Sequence, residues 1–190
     1  MGWVDHISRG GRLYIGGLYA LYQTDLIRAA GITHVLSVID YDPGLNVKPT
    51  MAHLKGLWIC AEDTPNEDLL KWFGQACDFV EKGLSEGGSV FVHCAMGKSR
   101  SATLVVAFLM RKYGLGWREG LRWVEEGRPV CEPNVGFKEQ LGVWERMCGV
   151  EKVEEKKKIY EKWVEGRFLG EVWEWEARER EKEVKEKARL

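Results

Sequence analysis

The chain has 190 residues, 45% hydrophobic and 30% charged, with a formal net charge of −1. That is long enough for one domain with a real core, and nothing in the near-neutral balance argues for binding to nucleic acid or a membrane surface. No apolar run reaches the roughly 18 residues of a membrane span, and the five cysteines, Cys60, Cys77, Cys94, Cys131 and Cys148, are odd in number and lack a Cys-x2-Cys pair, which fits reduced thiols and not a disulfide framework or a zinc site.

Residues 1–10 read as a lead-in. Arg12-Leu13-Tyr14-Ile15-Gly16-Gly17 predicts a short strand ended by glycines, and Tyr22 to Ala30 a helix stopped by Gly31. The near-continuous apolar run from Thr33 to Ile39 predicts a buried strand. Residues 40–52, with Pro43, Gly44 and Pro49, form a loop, and Leu54 to Cys60 is the next strand. From Asn66 to Leu84, the residues Leu69, Leu70, Phe73, Ala76, Cys77 and Val80 recur at helical spacing. Glu86-Gly87-Gly88 then turns the chain into the apolar strand Ser89-Val90-Phe91-Val92. A helix follows from Arg100 to Tyr113, a shorter one around Trp117–Glu126, and another from Asn134 to Met147. Strands alternating with helices predict an α/β fold, a mostly parallel or mixed central sheet of about five strands flanked by helices. In such sheets the chemistry lies at the C-terminal ends of the strands.

The most informative segment is His93-Cys94-Ala95-Met96-Gly97-Lys98-Ser99-Arg100-Ser101. A buried strand runs into it and an apolar helix leaves it, so Cys94 opens a tight loop and Arg100 opens a helix. The backbone amides of Ala95, Met96, Gly97, Lys98, Ser99 and Arg100 can turn inward at the positive end of that helix, a cradle suited to a dianionic phosphate. The same field favours the thiolate form of Cys94. Phosphoryl transfer needs an in-line nucleophile, charge stabilisation around the equatorial oxygens and a proton for the leaving group. Cys94 fits the first role, giving a phospho-cysteine. Arg100, six residues on, fits the second, because its planar fork can hold two oxygens where Lys98 cannot. Gly97 permits a backbone conformation that a side chain would resist. Ser101 is placed to donate its hydroxyl to the sulfur, and His93 to hold the loop through hydrogen bonds.

This Cys-x5-Arg run, in the form His-Cys-x-x-Gly-x-x-Arg-Ser, resembles the cysteine-dependent protein phosphatases, specifically the dual-specificity branch. The resemblance spans roughly residues 11–148 and includes Leu13-Tyr14-Ile15-Gly16-Gly17-Leu18, Gly31-Ile32-Thr33-His34-Val35-Leu36 and Pro133-Asn134-Val135-Gly136-Phe137-Lys138-Glu139-Gln140-Leu141. It implies the cysteine-phosphatase fold and no cofactor or metal, since thiolate and arginine do the work that metals do in other phosphatases. It also implies a general acid on a second loop. Asp63, in Ala61-Glu62-Asp63-Thr64-Pro65, precedes the nucleophile by 94 − 63 = 31 residues, and that spacing resembles the family's acid loop. The alternative is that Asp63 only caps the next helix. Asp40 and Asp42 are the second candidates, better suited to the cleft rim or a turn before Pro43. Asn134 is expected to cap its helix and support the phosphate loop.

From Glu151 to Leu190 the chain changes character, with 12 acidic and 12 basic residues and no proline. It reads as a charged helical extension or linker after a catalytic domain of residues 11–150. Its aromatic residues, Tyr160, Trp163, Phe168, Trp173 and Trp175 among them, either dock on the domain or meet a partner; the stretch after about 176 is expected to be solvated. The signature, the Pro-Asn-x-Gly-Phe run and Ile159-Tyr160-Glu161-Lys162-Trp163 resemble the fungal subfamily that carries a C-terminal zinc-binding domain and acts in large ribosomal subunit assembly. The departure is that no zinc-ligand cysteines follow, which puts the ribosomal role in doubt for this chain.

The expected activity is hydrolysis of phosphotyrosine and phosphoserine or phosphothreonine in proteins, because a core of this size leaves little room for the walls of a deep tyrosine-only cleft. Two other readings stand beside it. Phosphoinositide or RNA 5′-phosphate substrates call for more basic residues in the loop than Lys98. An assembly factor with incidental activity rests on the extension, with a pre-ribosomal partner. Phosphoprotein substrates, no membrane, no direct nucleic-acid contact and a cytoplasmic or nuclear location complete the expectations. Cys77, Cys131 and Cys148 read as packing residues, and Cys60 as a thiol near enough to trap Cys94 under oxidation.

Overall fold

Residues 3–45 and 51–187 of the computed structural model are described here. The first two residues of the lead-in, the Pro49 stretch of the 40–52 loop and residues 188–190 lie outside them. The strands are β1 (Val4–His6), β2 (Leu13–Gly17), β3 (Ile32–Val38), β4 (Lys55–Ile59) and β5 (Ser89–Cys94). They form one sheet in the order β1-β2-β5-β3-β4, with β1 antiparallel to β2 and the other pairs parallel. The helices are α1 (Leu18–Leu21), α2 (Thr24–Ala29), α3 (Phe73–Ser85), α4 (Arg100–Tyr113), α5 (Trp117–Gly127), α6 (Val135–Cys148), α7 (Val153–Gly166) and α8 (Val172–Lys187).

Side chains alternate across a strand, and here the alternation sorts two cores. Leu13, Ile15, Leu36, Val38, Val90 and Val92 face α3, α4 and α6, while Val35 and Phe91 face the opposite layer with Ala20, Leu21 and Ile27. Cys94 shares the Val92 face, and His93 the Phe91 face, where its ring stacks on Phe91 at 5.6 Å. β5, buried along its whole length, is followed by a helix buried on every side over its first three turns: each residue of α4 from Arg100 to Met110 is buried. That explains the unbroken apolar run after the signature.

Three expectations change. The lead-in is structural: Val4–His6 pairs with Tyr14–Gly16, and Ile7 is fully buried. The helix expected from Tyr22 to Ala30 is present as α2 from Thr24, and a separate short helix, α1, that was not expected precedes it. The helix predicted from Asn66 starts late, with a 3-10 turn at Leu70–Trp72 and α3 from Phe73. The reason is Gln140 of α6, whose buried side-chain oxygen accepts the amides of Leu69 and Leu70 at 2.9 and 2.8 Å and ends the preceding loop. Cys77 and Cys131 are buried as packing residues, but Cys148 is exposed at the end of α6.

The extension is helical and docked. α7 and α8 both lie against α6, with Ile159, Tyr160 and Trp163 packed on the main core and Trp175 only 4% exposed. Lys138 and Glu139 of α6 pair with Glu179 and Lys182 of α8, so α8 remains attached beyond residue 176. Among the described residues no helix is long and apolar enough to cross a membrane.

Candidate active site

Four consecutive carbonyls of the loop after β5 are turned outward by named donors. Ala95 O accepts from Leu18 N at 3.1 Å, Met96 O from Arg128 Nη2 at 3.1 Å, Gly97 O from Arg128 Nε at 2.7 Å, and Lys98 O from Glu132 N at 2.9 Å. A peptide whose oxygen points out directs the next N–H in. The Gly97 amide accordingly donates to Cys94 Sγ at 3.2 Å. Gly97 holds φ +69°, and an added Cβ would sit 2.3 Å from the backbone of Gly16, so glycine is required there.

Cys94 is 1% exposed, and its sulfur also lies 3.3 Å from Ser101 Oγ on the first turn of α4. Ala95, Met96 and Lys98 are exposed, so the sulfur is one residue below the surface. His93 Nε2 shares a 2.7 Å hydrogen bond with Ser37 Oγ on β3, and Nδ1 lies 3.3 Å from Cys94 O. Burial holds its imidazole down at about 4, opposed by the Cys94 carbonyl and reinforced by the Arg100 charge, so it is neutral at physiological pH. The neutral ring has one N–H to share between these two contacts, to β3 and to the Cys94 carbonyl.

Arg100 is 6% exposed. Its Nη1 donates to Ala61 O at 2.9 Å and Asp40 Oδ1 at 3.3 Å, which fixes the fork. Its Nε is buried without a hydrogen-bond partner, and the nearest acid is Asp63 Oδ2 at 3.8 Å. Asp40 thus lies beside Arg100. Asp42 accepts Gly44 N at 2.8 Å in a turn.

Asp63 is brought to the loop by two side chains. Ser99 Oγ donates to its Oδ1 at 2.6 Å, and Asn134 Nδ2 donates to the same oxygen at 3.0 Å. Asn134 Oδ1 meanwhile caps α6 by accepting Phe137 N at 2.9 Å, and its backbone N donates to Ser99 Oγ at 3.2 Å. The neighbouring acids are engaged elsewhere: Asp68 accepts Lys71 N and Tyr160 OH, and Glu67 accepts the Glu62 amide. Cys60 is exposed, with its thiol directed to Asp40 O at 3.7 Å.

Sequence reasoning did not single out Arg128, which is 3% exposed and joins the back of the loop to Asp5 of β1. It stands just before Pro129 at the end of the amphipathic helix α5, and an arginine followed by a proline is the only local trace it leaves.

Comparison with known proteins gives a consistent answer. The family model "Dual specificity phosphatase, catalytic domain" matches residues 13–147. Mouse dual specificity protein phosphatase 22 is 36% identical over 134 residues, 70% of this chain and 70% of that protein. The Yvh1 phosphatase domain from Chaetomium thermophilum superposes with a TM-score of 0.70 at 34% identity, over 78% of this chain and 99% of that one. Human DUSP28 superposes with a TM-score of 0.71 at 30% identity, over 77% and 95%.

Proposed function

Because the chain belongs to the dual specificity phosphatase family, we propose that it hydrolyses phosphotyrosine and phosphoserine or phosphothreonine in proteins through a phospho-cysteine. The observation that carries this reading is the setting of Cys94 Sγ between the Gly97 amide and the Ser101 hydroxyl. In the first step the thiolate attacks phosphorus. The S–P bond forms, the ester P–O bond breaks, and the departing oxygen takes a proton from the Asp63 carboxyl. In the second, water attacks phosphorus and gives its proton to the Asp63 carboxylate. The S–P bond breaks and the sulfur leaves as a thiolate supported by Ser101. Arg100 and the inward amides hold the equatorial oxygens in both steps, with the buried Arg100 Nε as the donor still open for one of them. His93 and Asn134 hold the loop and Asp63 in place.

Exposure of Ala95, Met96 and Lys98 around the nucleophile favours a shallow cleft, which admits the shorter phosphoserine as well as phosphotyrosine. The test is hydrolysis of an aryl phosphate and of matched phosphopeptides: Cys94→Ser should abolish turnover while the fold survives, and Asp63→Asn should slow poor leaving groups most. Normal turnover by Cys94→Ser would end the proposal. Inositol phospholipids and 5′-phosphorylated RNA, assayed alongside, should be poorer substrates, since Lys98 is the loop's only basic residue besides Arg100.

A second reading has one observation in its favour. Similarity to the Yvh1 phosphatase domain covers 99% of that chain, which agrees with the resemblance to the fungal subfamily acting in ribosome assembly. On this reading the chain serves a pre-ribosomal partner in the cytoplasm or nucleus. Normal growth of cells whose only copy carries Cys94→Ser favours it over an essential catalytic role.

A further inference from the structure

The docked extension reaches the segment that carries Asp63. Asn66, three residues after Asp63, is bound by its side chain to the α7–α8 connection and to α8. Its Nδ2 donates to Gly170 O at 2.9 Å, and its Oδ1 accepts from Gly170 N at 3.2 Å and Trp175 Nε1 at 2.8 Å. Trp175 is 4% exposed and packs edge-on against Phe168 at 5.0 Å, so its ring is fixed. A second tie comes from α7, where Tyr160 OH donates to Asp68 Oδ2 at 2.6 Å. Burial first, then the bond to Asp68, pushes the Tyr160 phenol up to about 12, which keeps it a donor throughout the neutral range.

The opposite flank of the same segment belongs to α6. Gly136 lies so close to Pro65 that an added Cβ would stand 2.0 Å from its carbonyl oxygen, and Gln140 takes the Leu69 and Leu70 amides. The loop is therefore gripped between α6 and the extension. Proton transfer depends steeply on donor placement, and a shift of about 1 Å costs on the order of a hundredfold.

We propose that Tyr160 and Trp175 are positioning residues for Asp63, and that the extension acts as a brace which sets the acid's geometry through Asn66 and Asp68. The inference rests on the reading of Asp63 as the general acid. Tyr160 and Trp175 touch no reacting atom.

The experiment uses the full chain with Tyr160→Phe, Trp175→Phe and both together, each alone and with Asp63→Asn. Melting temperature is recorded, and kcat/KM is measured for 2,4-dinitrophenyl phosphate and phenyl phosphate, because kcat/KM reports cleavage of the ester bond. The double variant should lose about tenfold on phenyl phosphate and under about twofold on the dinitrophenyl ester, a part of the 10²–10⁴ that a general acid contributes. In Asp63→Asn the same changes should cost nothing further. Equal losses on both esters, no loss in folded protein, or a loss that persists with Asp63→Asn would each overturn the brace. Should Trp175→Phe fail to fold, Tyr160→Phe decides alone, since it removes one hydroxyl and keeps the ring. The two readings fail differently. If Asp63→Asn leaves the leaving-group dependence unchanged, the acid assignment falls; if it alters that dependence and the extension variants do not, only the brace falls.

Discussion

Arg128 Nε donates to Gly97 O at 2.7 Å, so a side chain from the end of α5 fixes the one loop residue whose backbone is left-handed. The same guanidinium holds Met96 O through Nη2 at 3.1 Å and Asp5 through Nη1. With three faces of the fork in use, no conservative replacement reproduces it. Arg128→Ala should lower kcat/KM by on the order of a hundredfold, because the carbonyls it holds are those that turn the amides toward the sulfur. It should also cost about 2–3 kcal/mol of stability, since buried acceptors and Asp5 lose a charged donor. Arg128→Lys should recover part of the stability and little of the activity. Denaturant unfolding and steady-state kinetics on the same preparations check both; full activity in Arg128→Lys would show that the loop holds its own shape.

Ser101 Oγ stands 3.3 Å from Cys94 Sγ on the side of α4. A hydroxyl there matters most when the sulfur regains its charge, as water displaces it from phosphorus. Ser101→Ala should therefore lower kcat about tenfold, with little change in kcat/KM, and phospho-cysteine should accumulate. Rapid-quench experiments should show a burst of released phenol matching the enzyme concentration. If kcat and kcat/KM fall together without a burst, the hydroxyl acts in the first step instead.

How far the sequence carried this site depends on distance along the chain. The loop after β5 was legible because Cys94, Gly97 and Arg100 fall within one contiguous run, between a strand and a helix that each announce themselves. Asp63 was less so: Glu62 and Asp68 look equivalent in one dimension. They separate only when Ser99 and Asn134 reach Asp63, across 36 and 71 residues. Arg128 and Asp5 escaped altogether because their partners lie 31 and 123 residues away, and Val4–His6 is too short to show a period. The late start of α3 was hidden in Gln140, a polar residue inside another helix. The docking of the extension rests on Trp175 and Tyr160, whose polar ends find acceptors that spacing alone does not reveal.

His93 gives the fold a pH dependence with a definite sign. Burial lowers its imidazole from 6.5 to about 4. Above 6.5 the folded and unfolded chains are both neutral at this site. As pH falls from 6.5 to about 4 the unfolded chain takes up a proton that the folded one refuses, so stability drops by about 1.4 kcal/mol per pH unit; below about 4 there is no further loss. His34, also lowered chiefly by burial, works in the same direction. Urea unfolding of the wild type should lose about 2 kcal/mol from this site between pH 6.5 and 5. His93→Asn should show a drop smaller by that amount, and parallel profiles for the two proteins would refute the assignment.

Gln140 offers a test of how the segment after Asp63 is joined to the core. It is 1% exposed, and its amide is satisfied at both ends: Oε1 accepts Leu69 N and Leu70 N, and Nε2 donates to Glu67 O at 2.7 Å. Gln140→Leu keeps the approximate volume and removes all three of these bonds, leaving the buried Leu70 amide unpaired and the Leu69 amide and Glu67 O with only their 3.2 Å bond to each other. An unpaired buried amide costs about 1–3 kcal/mol, and with the two further bonds lost the total should be about 2–4 kcal/mol. Gln140→Glu is the sharper comparison. Its carboxylate can still accept the two amides but cannot donate to Glu67 O while ionised, and it buries a charge. It should be the less stable of the two at pH 8 and gain on Gln140→Leu as pH falls through the range where a buried carboxyl protonates, since the neutral acid restores the donor. Unfolding of both variants at pH 8 and pH 5.5 measures this crossover; the same difference between them at the two pH values would mean that Gln140 serves only as packing.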